Sequence, residues 1–236
     1  LIEFGKTITE LAHVWTGSER RIRRLVAKVH GRQFVDAGLA EGRGLVILCP
    51  HMGSWELIGL YLSLEYGITS LYRPPKLEVA ERYARRVRER FGAHLVPTDI
   101  SGVRALRRAL ANNTMMGILP DQDPGESGGL YAPFFGRLAR TMLLPSRLAA
   151  KTGSPMVYAF AERLPRGRGF RIHFIPASPD VSSSDDDRAV VALNRDIESL
   201  IRQNPAQYQW SYKRYKNPPA GETVPYQNEV PQRRAA

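Results

Sequence analysis

The sequence predicts a single α/β domain in which a mostly parallel sheet is covered by helices on both faces. Three features predict it. Short, continuously apolar runs, of which residues 45–49 are the clearest, read as strands buried on both faces. Amphipathic helical stretches alternate with these runs along the chain. A chain of 236 residues with 43% hydrophobic and 24% charged residues is also large enough to bury one substantial core.

Residues 1–38 carry Leu11, Val14, Trp15, Ile22, Leu25, Val26 and Val29 at roughly helical spacing, punctuated by Gly17 and Gly31, and read as helical. Turn residues 41–44 lead into the apolar strand 45–49, which Pro50 stops. Ser54 is a plausible N-cap for the next helix, whose Leu57, Leu60, Tyr61 and Leu64 follow the i, i+3, i+4, i+7 pattern. Residues 68–72 read as a strand ended by Pro74 and Pro75. An amphipathic helix over 77–91 then places Val79, Tyr83, Val87 and Phe91 inward and Arg82, Arg85, Arg86 and Arg90 outward. A brief strand (94–97), an arginine-bearing helix (103–110) and a strand (115–119) follow. The Gly- and Pro-rich stretch 121–140 reads as a long functional loop. Beyond it come a helix (143–152), strands at 156–160 and 170–175, a polar loop at 182–187 and a helix (188–203). Residues 1–216 form the expected domain, and 217–236 a loosely held tail.

The net charge of +11, from 34 Lys and Arg against 23 Asp and Glu, favours anionic partners: nucleic acid, anionic lipid or an acidic carrier protein. No helix-turn-helix, zinc-finger or RNP-like pattern is present, and aromatics are not interleaved with the arginines, so nucleic acid is the weakest of the three. One cysteine excludes an internal disulfide and any multi-cysteine metal site. No apolar run approaches the roughly 18 residues of a spanning helix. The sequence starts at Leu1 within an expected helix, so an upstream piece that carries an anchor or signal is expected.

The chemistry concentrates in Pro50-His51-Met52-Gly53-Ser54-Trp55-Glu56, between a buried strand and a helix start. Residues five apart do not face each other on a helix, so His51 and Glu56 meet only if His51 sits on the turn and Glu56 in the first helical turn. The carboxyl ends of parallel strands are where open α/β sheets build their sites. A helix N-terminus disfavours an imidazolium, which leaves His51 neutral and able to accept a proton, with Glu56 to fix its tautomer. That is a base with an orienting carboxylate, lacking only a nucleophile that a substrate hydroxyl would supply.

The H-x4-E spacing in this setting resembles that of the glycerolipid-type acyltransferases, and His51-x-x-x-Trp55-Glu56 resembles the bacterial lipid A biosynthesis acyltransferases, the late lauroyl and myristoyl transferases. Four further segments match in order. Tyr72-Arg73-Pro74 resembles the family's Y-R-P, and Pro120-Asp121-Gln122-Asp123-Pro124-Gly125 its P-D-x-D-x-G. Ala132-Pro133-Phe134-Phe135-Gly136, followed by Ala139-Arg140-Thr141, resembles V-P-F-F-G. Residues 205–216 are similar to P-E-Q-Y-x-W-x-H-R-R-F-K, with Tyr212-Lys213 in place of the usual His-Arg. The resemblance implies a glycerol-3-phosphate-acyltransferase-like fold, His51 as general base with Glu56 as its partner, and substrate-binding roles for Arg73, Asp121, Asp123 and Arg140. It also implies acyl carrier protein or coenzyme A as donor, a glycolipid acceptor in lipopolysaccharide biosynthesis, and a place at the cytoplasmic face of the bacterial inner membrane. No metal and no cofactor are expected.

Two rival readings use the same residues. Asp121-x-Asp123 after an apolar strand is how sugar-nucleotide enzymes present carboxylates to a divalent metal, which suggests a glycosyltransferase. A phosphatidylinositol mannoside is an alternative acceptor for an acyltransferase. Cys49, at the end of an apolar strand, reads as packing rather than as a thiol nucleophile. His13, His30, His94 and His173 show no ligand spacing.

Overall fold

A computed structural model describes residues 2–74 and 77–226 of the chain. In chain order its elements are α1 (Ile2–Thr16), α2 (Glu19–Leu25), β1 (Val26–His30), α3 (Arg32–Ala40), β2 (Leu45–Leu48), α4 (Trp55–Glu65), β3 (Ile68–Tyr72), α5 (Glu78–Glu89), β4 (His94–Pro97), α6 (Ile100–Ala111), β5 (Met115–Ile118), β6 (Gly129–Phe134), β7 (Arg137–Met142), α7 (Leu144–Thr152), β8 (Met156–Arg163), β9 (Phe170–Pro176) and α8 (Asp186–Gln203). Seven strands form one sheet in the order β1-β9-β8-β2-β5-β3-β4. All neighbours are parallel except β8 and β9. The fold is the expected mostly parallel α/β domain.

The continuous apolar runs lie where both faces are covered. Val46 and Leu48 of β2 pack into one core with α6, α7 and α8, while Leu45, Ile47 and Cys49 pack into a second with α1 to α4. Four residues of β2 and four of β5 are all buried. Helix α4 lies deep in the second core, with Leu57, Ile58, Leu60, Tyr61 and Leu62 all buried.

Three sequence expectations change. Residues 26–30 form strand β1 rather than continued helix: α2 ends as Val26 turns extended, and the edge of β9 offers Val29 and His30 a parallel partner. On α5 the buried residues are Ala84 and Val87, while Val79 and Tyr83 are exposed. Arginines take the inner positions there: Arg88 reaches α4, and Arg90 donates to the carbonyl oxygens of Val14 and Trp15 on α1. Residues 121–140 are not one loop. They run into the β6–β7 hairpin and supply most of it, including its turn of Phe135 (φ 47°) and Gly136 (φ 79°), two residues with both φ values positive. Asn194 of α8 holds this hairpin by donating to Pro133 O at 3.0 Å and Thr141 Oγ1 at 2.8 Å.

Pro75 of the expected strand stop and residues 227–236 of the expected tail lie outside the described residues. The preceding segment turns back onto the hairpin, where Tyr131 Oη donates to Pro218 O at 3.1 Å.

The link from β2 to α4 runs against β8. Gly53 has φ 61°, and a Cβ there would meet Ala161 O at 2.0 Å. Gly53→Ala should therefore lower stability by more than about 1 kcal/mol in thermal or denaturant unfolding. Gly59→Ala is the control: it lies in α4 with open space around it, and should be neutral or stabilising by up to about 1 kcal/mol.

Candidate active site

Parallel pairing of β2 and β5 sets Leu48 opposite Ile118. His51 and Asp121 each lie three residues beyond that pair, so the two loops leave the sheet at the same height and their side chains meet. Asp121 Oδ1 lies 2.8 Å from His51 Nδ1, and Asp121 Oδ2 accepts the His51 backbone N–H at 2.9 Å. Asp121 is 2% exposed. Burial pushes its carboxyl upward, but the positive charge of a protonated His51 and the hydrogen bonds from His51 outweigh this and hold it below the usual carboxylate range.

The expected His51–Glu56 bond is not formed. Glu56 is the second residue of α4, and its carboxylate turns to α5 and α1, where it pairs with Arg88 and accepts Trp15 Nε1–H at 3.1 Å. Its neighbour Trp55 takes the position beside the imidazole, with ring centroids 5.4 Å apart. Helical geometry is the cause: one residue along α4 turns the side chain by about 100°. Ser54 stands at the cap position, but its hydroxyl makes no capping bond, and its N–H donates to Ala161 O instead.

The turn that carries His51 is gripped from three sides. Ala161 O receives Ser54 N–H at 2.9 Å, and Gly53 N–H donates to Gln207 O at 2.9 Å. His51 O accepts Gln209 N–H at 2.9 Å. Gln207 also brackets the backbone of Arg163, accepting its N–H at 2.8 Å and donating to its carbonyl oxygen at 3.0 Å. The buried Arg163 guanidinium donates to Gly53 O at 2.9 Å, to Thr7 Oγ1 at 2.7 Å and to Glu10, tying helix α1 to the same turn.

A cavity of about 660 Å³ opens beside this dyad, with His51, Glu56, Arg73, Arg88, Gln122 and Asp123 among its polar lining. Leu60, Ile68, Ile118, Leu119, Met142 and Leu144 supply apolar wall. Arg73 is exposed and pairs with no acid among the described residues. Asp123 lines the cavity, yet both its oxygens are engaged, one by Gly125 N–H at 2.9 Å and the other by Asn217 Nδ2 at 2.7 Å. Asp121 and Asp123 thus point to different partners and do not converge as a metal-binding pair would; neither bonds to Arg73. Arg140 stays away from this cavity, stacked on Tyr131 and donating to its hydroxyl at 2.7 Å.

Sequence reasoning missed Gln122, Arg163, Gln207 and Gln209. The signal for three of them was present, since Gln122 sits in the 120–125 segment and Gln207 and Gln209 in the 205–216 segment, but nothing in those segments says that they meet residues 51–53. Cys49 is buried and its thiol pushed up to about 12 by burial and the nearby Asp121 charge, which suits packing and not nucleophilic attack.

The sequence matches the family of bacterial lipid A biosynthesis acyltransferases over residues 1–217. The chain belongs to this family. It is an acyltransferase. Among its relatives, the lipid A biosynthesis palmitoleoyltransferase of Escherichia coli (strain K12) is 28% identical over 94% of this chain and 72% of its own length. The lipid A biosynthesis lauroyltransferase of the same organism is 26% identical over 92% of this chain and 70% of its own. The phosphatidylinositol mannoside acyltransferase of Mycobacterium tuberculosis (strain ATCC 25618 / H37Rv) is 28% identical over 86% of this chain and 64% of its own.

The depressed carboxyl of Asp121 in this acyltransferase has a consequence for acid stability. A carboxyl with a folded pKa below its unfolded value, about 3.9, stabilises the fold above that value and loses the contribution as pH falls through the folded pKa. Asp121→Asn should therefore flatten the acid-side fall of melting temperature below about pH 4, read by thermal unfolding across pH.

Proposed function

We propose that this acyltransferase moves a fatty acyl group from an acyl carrier protein or coenzyme A thioester onto a hydroxyl or hydroxyacyl group of a glycolipid of the lipid A precursor class. The observation that carries the reading is the His51–Asp121 pair, whose imidazole lines a cavity with both polar and apolar walls. Asp121 holds the Nδ1–H tautomer, so Nε2 is the base. In the reaction the acceptor hydroxyl gives its proton to Nε2 as its oxygen attacks the thioester carbonyl. The tetrahedral intermediate then collapses, the C–S bond breaks, and the departing sulfur takes the proton back from His51. Asp121 stabilises the imidazolium between these steps. Glu56 acts one layer out: it fixes Arg88 and thereby the cavity wall.

Arg73, exposed at the rim, is placed to hold a phosphate of the acceptor or carrier. Asp123 shapes the turn beside it. The acceptor class is supported by the two Escherichia coli relatives, and the mannoside acyltransferase, as similar to this chain as the palmitoleoyltransferase is, makes a phosphatidylinositol mannoside the second acceptor to try. Mass spectrometry of both glycolipid types after incubation with a lauroyl carrier thioester tests the choice; a mass gain on neither would remove the reading.

We place the enzyme at the cytoplasmic face of the inner membrane. No helix among the described residues is long and apolar enough to cross a membrane. Arg86, Arg104, Arg107 and Arg108 are exposed, as are Leu77, Val79 and Ile100. Each basic residue near an anionic leaflet contributes about 1 kcal/mol. Arg85 belongs to a different class, since it bridges Glu81 and Glu89.

His51→Ala should lower transfer by about 10²–10⁴-fold with the fold intact, and Asp121→Asn should cost more than Glu56→Gln. Initial rates with a radiolabelled acyl donor measure all three. A folded His51→Ala protein with more than half the wild-type rate would end the proposed mechanism. Vesicle sedimentation should be strong with anionic lipid at low salt and weaken steeply as salt rises; charge reversal of Arg86, Arg104 and Arg107 should weaken it further.

A further inference from the structure

The nitrogen that must take the proton already has a partner. With Nδ1–H committed to Asp121, His51 Nε2 is an acceptor, and the side-chain nitrogen of Gln122 lies 3.1 Å from it. The same amide group donates to Gln209 Oε1 at 3.3 Å. Gln209 in turn donates its backbone N–H to His51 O. Two glutamines therefore arch over the base, one from the loop after β5 and one from the segment after α8.

Their position between cavities gives the arch a second property. Gln122 lines the large cavity, Gln209 lines a smaller one of about 280 Å³, and Trp55 lines both. The hydrogen bond between the glutamines thus crosses the wall that separates the two spaces. An acceptor hydroxyl cannot reach Nε2 until the amide of Gln122 gives way.

We propose that the Gln122–Gln209 bond is a latch on the general base, closed when the acceptor is absent and opened by the acceptor hydroxyl as it replaces the amide at Nε2. The inference rests on the reading of His51 as base. Its purpose is to keep water from using that base while an acyl thioester waits in the site. In the suppressed side reaction, water gives a proton to His51 Nε2 and its oxygen attacks the thioester carbonyl. The C–S bond then breaks and the sulfur takes the proton, leaving a fatty acid and a free thiol. Gln122 and Gln209 are positioning residues in this scheme, since they act through His51.

The test uses the full chain with lauroyl-coenzyme A and with lauroyl-acyl carrier protein, and reads free thiol release without acceptor beside acyl transfer with it. Gln122→Leu and Gln209→Leu keep bulk and remove the amides. Each should raise thiol release about two- to tenfold, the worth of one hydrogen bond, and so raise the ratio of hydrolysis to transfer. Gln122→Glu gives a signature that packing alone cannot: a carboxylate against Nε2 stabilises the imidazolium and moves the acid limb of the transfer rate to higher pH. Folded leucine variants with wild-type thiol release, or a Gln122→Glu profile that does not move, would overturn the latch. Wild-type turnover that survives His51→Ala would instead overturn the base on which the latch acts.

Discussion

The structure depends on the register between β2 and β5. Two parallel strands, buried on both faces and paired residue for residue, end at the same level, and each hands on a loop of equal length to its functional side chain. A shift of one residue in that pairing would turn every apolar side chain of β2 toward the wrong core and lift His51 away from Asp121 together. Core packing and site geometry are thus one constraint. The burial of both strands is what makes the register stiff enough to position the His51–Asp121 pair.

Around that pair, several polar residues that line or border the cavity also hold one another. Arg88 is shared between Glu56 and the faces of Trp15 and Tyr72, with the guanidinium carbon 5.8 Å and 5.3 Å from the ring centroids. Arg214 is buried against Arg140 O and Thr141 Oγ1. Charges that look superficial in a helical projection are consumed in joining helix to helix and hairpin to tail. The net charge of +11 therefore overstates the basic surface open to a partner.

The fold class, the β2 and β5 strands and the strand-turn-helix break that carries His51 were legible in the sequence, because continuous apolar runs and such a break are local signals. Strand β1 was not, since Val26-Ala27-Lys28-Val29-His30 continues a helical spacing until the edge of β9 competes for its backbone. The partner of His51 was misassigned for a related reason. Glu56 is near in sequence, whereas Asp121 is near only after β2 and β5 pair, and no local pattern reports a pairing across 70 residues. Asp121 was marked as a substrate-binding residue, whereas its carboxylate bonds His51. Gln122 and Gln209 carry no chemical signature of their own and become visible only through the atom they touch.

Arg163 bears on how the protein is made. Its guanidinium joins Glu10, 153 positions earlier, to the carbonyl of Gly53, and the segment that closes over the turn follows still later. During synthesis the first helix and the histidine emerge long before the groups that fix them. Contacts of such separation form late because their loop-closure entropy must be met first. A nascent chain therefore holds His51 on an ungripped turn until residues 161–209 have been made.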